Sequence, residues 1–434
     1  MSAKARARIE GQDVATASQA VWKRLLTLGP GLITGAADDD PSGISTYSVA
    51  GASTGFSMLW LALFTTPMMA VIQGMCARIG MVTGIGLAAN IRKAIPVPAA
   101  YLVGGIVLVA NTFNVGADFA GMAASANLVA PGIPQLAWAL FFGAALIVGL
   151  VYLSYRRIAS FLKYLTLTLF AYIVTAFILR PDWGMVLRNL VVPQVHLERG
   201  WITTAMGVLG TTITPYLFFW QSALEVEEEK AEGRTTVAQR RGATDEEIRD
   251  AHFDVNAGMI FSNLVMFFII TTTALALFGH GHHNIQTAQD AANALRPLAG
   301  NAAYLLFTLG MVGTGLLAIP ALAGSSAYVA AEMLAFRRAG LDELPSRAPR
   351  FYAVLVAGVV IGVAMPFMHI DPIRALYWSA VLNGVVSVPL IFLVIRIAND
   401  SKVMGKWRNS VAANIWSWLT FVLMGAAAVA LFAI

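Results

Sequence analysis

Three consecutive aspartates, Asp38, Asp39 and Asp40, precede Pro41 inside an apolar run of membrane length. A carboxylate at bilayer depth costs a few kcal/mol or more. Proline removes a backbone donor and breaks a helix, freeing carbonyls nearby. Broken backbone survives at that depth only where protein buries it or where it lines a wet cavity. An acid beside freed carbonyls at such a break is a cation site. A second stretch of similar make-up, Gly210-Thr211-Thr212-Ile213-Thr214-Pro215-Tyr216, lies further along the chain. Either proline alone reads as an ordinary kink. Together, and with an acid at one of them, Pro41 and Pro215 read as the two break points of one ion site.

The elements that must position these residues are membrane helices. Of the 434 residues, 58% are hydrophobic and 12% charged, against roughly 25% charged in soluble domains. A soluble single-core fold is excluded. At ~20 residues per helix, eleven spans emerge: 28–53, 56–77, 98–129, 136–155, 161–180, 200–224, 252–279, 301–334, 350–368, 372–396 and 411–433. With the N-terminus in the cytoplasm, 24 of the 29 Lys and Arg residues fall on the cytoplasmic side and 5 outside. Adding or losing one span would scramble that bias, so it supports both count and orientation. The net charge of +5 therefore sorts by loop and does not form a nucleic-acid patch. The N-terminal residues 1–27 lack the apolar core of a signal peptide and read as a cytoplasmic tail. The single cysteine, Cys76, excludes an internal disulfide framework and a thiolate metal cluster.

Spans 1–5 and 6–10 form two sets of five. Five is odd, so the second set enters the membrane inverted, a common transporter plan with its site between the first helices of the two repeats. The expected fold is an all-α polytopic membrane protein with a LeuT-like inverted repeat and discontinuous helices 1 and 6. The corresponding units are 28–180, an external loop 181–199, 200–396 with a cytoplasmic loop at 225–251, and 397–434 as linker and eleventh helix.

The chain resembles the NRAMP family of divalent-metal transporters. Gly29-Pro30-Gly31, Asp40-Pro41, Asp118-Phe119-Ala120, the span 6 break and Gln221-Ser222-Ala223 carry the likeness, in order and spacing. The resemblance implies a metal held by Asp40 and by the positions of Gly43, Thr211 and Thr214. It also shows departures. The family's asparagine ligand falls on Gly43, its span 6 alanine on Thr211, its thioether methionine on Thr214, its two histidines on Tyr216 and Gln221, and an acid on Gly121. Thioether sulfur favours soft transition metals, whereas oxygen donors suit magnesium, calcium and manganese. Magnesium keeps much of its water and needs only one or two carboxylates. A roomy, oxygen-only site fits partly hydrated Mg2+ or Mn2+, as in the family's magnesium-transporting branch. Loss of both histidines, the side chains most readily titrated near neutral pH, implies weak or no proton coupling.

Other residues carry competing readings. Asp38 and Asp39 do not share Asp40's direction, because successive helical residues point ~100° apart. Asp39 lines the cavity or holds a donor behind it, or one of the pair caps the broken helix. Asp118 is functional by default, as a remnant of the family's proton route or part of an exit path; the alternative is a bond to Asn114 or Thr112. Asn383 either approaches the metal or bonds between helices. His280, His282 and His283 read as a solvated loop, and Thr244-Asp-Glu-Glu as a helix cap. A membrane-embedded enzyme is not the expected reading. The expectation is a plasma-membrane transporter, monomeric, with no cofactor beyond the transported Mg2+ or Mn2+. The alternatives are a proton-coupled Mn2+/Fe2+ carrier and an organic-cation or amino-acid transporter on the same fold.

Overall fold

The computed structural model describes residues 29–152, 167–341, 343–368 and 370–433. Residues 1–28, the end of span 4, the connection with Arg156 and Arg157, the start of span 5 with Lys163, and Ile434 lie outside the described residues. Among the described residues every regular element is helical, and nine helical stretches are long and apolar enough to cross a membrane. Span 5 is described as Leu167–Ile178. Span 1 is too short in either piece to cross alone, because it is broken into Pro30–Asp38 and Pro41–Thr54. The outward faces carry exposed Leu102, Val109, Phe141, Val148 and Phe432, as a lipid solvent requires.

Both breaks have the same construction. Asp40 is extended (φ −71°, ψ 170°) and caps a helix whose first residue is Pro41. Thr214 is extended (φ −91°, ψ 139°) and precedes Pro215, which begins Pro215–Ala231 after Arg199–Thr212 has ended. Proline alone does not do this: Pro67, Pro320 and Pro389 sit inside continuous helices. The breaking prolines instead follow a residue with a side-chain oxygen in extended backbone, and fixed φ makes proline a good first helical residue.

Span 7 (Asp245–Ala276) packs along both halves of span 1 and along span 2 (Trp60–Thr83); span 8 (Ala303–Met333) packs along span 3 (Val97–Val129); and the first half of span 6 packs along span 10 (Pro372–Asn399). Four boundaries differ from expectation. Span 6 continues to Ala231 and span 7 begins at Asp245, so the expected 225–251 loop shrinks to a short connection holding the helix Val237–Arg240. Glu, Lys and Ala in that stretch are strong helix formers, and Thr244 with Glu247 makes a complete capping box. Span 2 extends to Thr83, where Gly84 adopts φ +66° as its C-cap. The 181–199 loop contains a helix, Trp183–Val191, capped by Asp182.

The first half of span 1 meets span 7 backbone to backbone. A Cβ on Gly35 would lie 2.4 Å from the Gly258 carbonyl oxygen, and one on Gly258 would lie 2.3 Å from that of Gly31. Small residues permit such close approach in membranes. Gly35→Ala is therefore expected to destabilise the protein by about 1–3 kcal/mol, as overpacking does, read as a lowered thermal midpoint in detergent. An unchanged midpoint would show slack in this contact.

Candidate metal site

Asp40 is 2% exposed. One carboxylate oxygen accepts from the Gly43 amide at 2.7 Å, closing the first turn of the second half-helix. The other accepts from Asn114 Nδ2 of span 3 at 3.3 Å. Both donors are neutral. Among the described residues no Lys, Arg or His forms an ion pair with Asp38, Asp39, Asp40 or Asp118. A buried carboxylate without a counter-charge is a strong attractor for cations.

The span 6 break faces it. A Cβ on Gly43 would stand 3.2 Å from Thr211 Oγ1 and 3.5 Å from the Asp38 carbonyl oxygen, so the glycine marks the contact between the two breaks. The hydroxyls of Thr211 and Thr214 are buried and have no hydrogen-bond partner among the described residues. Freed carbonyls elsewhere are satisfied by side chains. Tyr216 donates its hydroxyl to the Ala37 carbonyl at 2.7 Å, tying the second half of span 6 to the first half of span 1. Ser387 of span 10 donates to the Ile213 carbonyl at 2.6 Å. Tyr47 and Thr212 hydroxyls meet at 3.4 Å.

The remaining candidates spread around this centre. Asp38 and Asp39 turn toward span 7 and share one donor, Ser262 Oγ, at 2.6 and 3.1 Å. The cap of the broken helix is Asp40 itself, not either of them. Asp118 is fully buried, beside Asp40 and within reach of the Ser42 backbone amide. The expected alternative partners go elsewhere: Thr112 bonds the Leu108 carbonyl and Asn114 reaches Asp40. Gln221 donates to Glu225 one turn along the helix, away from the break. Asn383 is buried on span 10, and its carbonyl accepts from Ser387, which also bonds the span 6 break. At Gly121 a Cβ would meet Leu376 at 2.7 Å and Met311 at 3.2 Å, so apolar side chains fill the place of an acid. His280 and His282 are exposed, and His283 packs edge-on to Phe278. Among the described residues no three His, Cys, Asp or Glu side chains converge as a ligand cage.

Two residues were missing from the sequence-based site. Asn114 lies four positions before Asp118, on the same helical face, a usable signal. Ser262 is a lone hydroxyl in an apolar span, and no spacing marks it.

A polytopic helical protein whose first and sixth helices break at facing points has the inverted-repeat transporter fold. The solved structures agree. The manganese transporter of Eremococcus coleocola in complex with an aromatic bis-isothiourea compound superposes with a TM-score of 0.69 at 16% identity, covering 94% of this chain and 86% of that one. Mhp1, a nucleobase-cation-symport-1 family transporter, matches at 0.56 with 14% identity over 93% and 91% of the two chains. Residues 31–433 match the natural resistance-associated macrophage protein-like family, and the chain belongs to it. Among curated relatives, the divalent metal cation transporter MntH of Yersinia pestis (strain Pestoides F) is 30% identical over 314 residues, 71% of this chain and 73% of the relative; MntH of Yersinia pseudotuberculosis gives the same figures.

Proposed function

We propose that this chain carries divalent metal ions, Mg2+ or Mn2+, across the plasma membrane by alternating access. Asp40 supplies the charge, Thr211 and Thr214 supply oxygen donors, and Gly43 leaves the room. The observation that carries the reading is a buried carboxylate held only by neutral amides at one helix break, facing buried, unbonded hydroxyls at the other. Oxygen donors suit hard cations. With no cage of protein ligands among the described residues, the ion keeps part of its water, as magnesium prefers. Relatives bearing the name divalent metal cation transporter support the substrate class. The charge bias of the loops supports a cytoplasmic N-terminus. A divalent ion moving inward through 100 mV gains about 4.6 kcal/mol, twice the value per charge, so the membrane potential suffices as a driving force.

Proton coupling is weak or absent in this reading. Tyr216 and Gln221 replace the titratable side chains implied by the family resemblance, and Leu376 and Met311 close the place at Gly121. The proton-coupled Mn2+/Fe2+ alternative rests on Asp118, a second fully buried acid beside Asp40. One experiment decides between them. In proteoliposomes, Mg2+ and Mn2+ are expected to compete with each other, Cd2+ to compete poorly, and imposed pH gradients to leave uptake nearly unchanged. Metal-dependent acidification of the lumen would establish the coupled alternative. Competition by amino acids or organic cations, with none by metals, would overturn the metal reading.

A further inference from the structure

Arg78 is a buried cation without an anion. It is not a loop residue: it lies inside span 2, five residues before the helix ends at Thr83, and is 8% exposed. Among the described residues it forms no ion pair, and its one hydrogen bond goes to the neutral Asn409 side chain. Its Nε is buried with no hydrogen-bond partner among those residues. Burying a charge is costly unless it is paired, and the planar fork of a guanidinium matches the oxygens of a phosphate.

A cavity of about 140 Å3 opens at Arg78, between spans 2, 7 and 11. His252 and Asn256 of span 7 line it together with Arg78 and Ser410, and none of its lining residues is an acid. Ser410 caps span 11 (Val411–Ala433), its hydroxyl accepting from the Ala413 amide at 3.2 Å. The positive end of a long helix therefore borders the same space, where it favours an anion. The cavity is smaller than the ~300 Å3 at which small-molecule pockets begin, so it suits a head group rather than a whole solute.

The continuation of the groove says what the head group carries. The same three helices line a second, apolar cavity of about 580 Å3. Span 2 leads from the first cavity to the second between Arg78 and Pro67, span 7 between Asn256 and Ile260, and span 11 between Ala413 and Trp416. Leu63, Ile260 and Leu264 are exposed there, so this cavity opens sideways to lipid. Arg78 and Pro67 are eleven residues apart, ~16 Å at 1.5 Å per residue. One leaflet of the ~30 Å hydrocarbon core is ~15 Å deep. An acyl chain hanging from a phosphate at Arg78 thus ends at the mouth of the apolar cavity, whereas a free phosphate would use only the first.

We propose that an anionic phospholipid occupies this groove, with its phosphate on Arg78 and the capped end of span 11 and one acyl chain along spans 2, 7 and 11. Basic pockets between membrane helices on the cytoplasmic side hold such head groups, and the bias of the basic residues puts this end of span 2 in the cytoplasm. The inference does not depend on which ion the protein carries.

The test titrates dioleoylphosphatidylglycerol and dioleoylphosphatidylcholine into delipidated full-length protein in detergent and counts bound lipid by native mass spectrometry. The wild type is expected to bind one phosphatidylglycerol at least tenfold more tightly than phosphatidylcholine. Arg78→Gln is expected to lower phosphatidylglycerol affinity at least tenfold and to leave phosphatidylcholine affinity unchanged. Gly74→Leu keeps the arginine and fills the cavity instead. A Cβ on Gly74 would meet only the His252 ring, at 3.7 Å, an ordinary contact, so this variant folds and is expected to show the same loss even if Arg78→Gln does not fold. Phosphatidylglycerol is expected to raise the thermal midpoint of the wild type, and inorganic phosphate at the same concentration to leave it unchanged. Equal affinity of the wild type for the two lipids, or undiminished phosphatidylglycerol binding in a folded variant, overturns the proposal. Equal protection by inorganic phosphate overturns the lipid as the source of the anion.

Discussion

Asp40→Asn is expected to reduce saturable Mg2+ and Mn2+ uptake in proteoliposomes at least a hundredfold while leaving the protein folded. Asparagine is as good a helix cap as aspartate, so the bond from the Gly43 amide and the start of the second half-helix survive. Only the charge is lost. A hundredfold loss corresponds to about 2.7 kcal/mol. A single pair of unit charges at 4 Å is worth ~4 kcal/mol at an effective dielectric of 20, and a divalent ion doubles it. The expected effect is therefore a lower bound. Asp40→Ala removes the cap as well, and is expected to show the same transport loss with a further ~1 kcal/mol of destabilisation. Equal uptake by wild type and Asp40→Asn, measured with matched protein in the vesicles, would remove Asp40 from the site.

The double substitution Gly43→Asn with Thr214→Met is expected to shift preference from Mg2+ toward Mn2+ and Cd2+ by at least tenfold in competition assays. It adds an amide oxygen and a thioether, and sulfur favours the softer ions. The Cβ of residue 43 would stand 3.2 Å from the Thr211 hydroxyl, a tight contact with a side-chain atom. Thr214 makes no side-chain capping bond, so methionine there forfeits none. If the double variant keeps the wild-type ranking of ions, donor chemistry at the two breaks does not set selectivity.

The architecture was readable because it depends on few rules. Apolar length marks spans, basic loops suggest orientation, and two prolines flanked by small or hydroxyl residues in corresponding spans, one with an acid beside it, mark the breaks. Asp40 and the two breaks follow from those alone. Contacts between helices distant in sequence were not readable. Nothing local shows that Ser262 serves both Asp38 and Asp39, or that the Tyr216 hydroxyl bonds the Ala37 carbonyl. At 225–251 two readings competed: charge density suggested a solvated loop, while the Glu, Lys and Ala content after Glu227 allowed span 6 to continue, and the helix does continue to Ala231. Asn114 was visible but assigned to the wrong acid, since helical spacing points it toward Asp118 while tertiary packing brings Asp40 closer.

Gly31, Gly35 and Gly258 place two main chains against each other with no side chain between them. Interlocked side chains must change rotamer before two helices part, and each such change slows the separation. Bare peptide planes have nothing to disengage. To leave span 7, the first half of span 1 would surrender the hydrogen bond from the Gly31 amide to Asp254 and those from Ser262 to Asp38 and Asp39, and little that is steric. Any return would be to one register, because glycine at these positions admits only a single close seating.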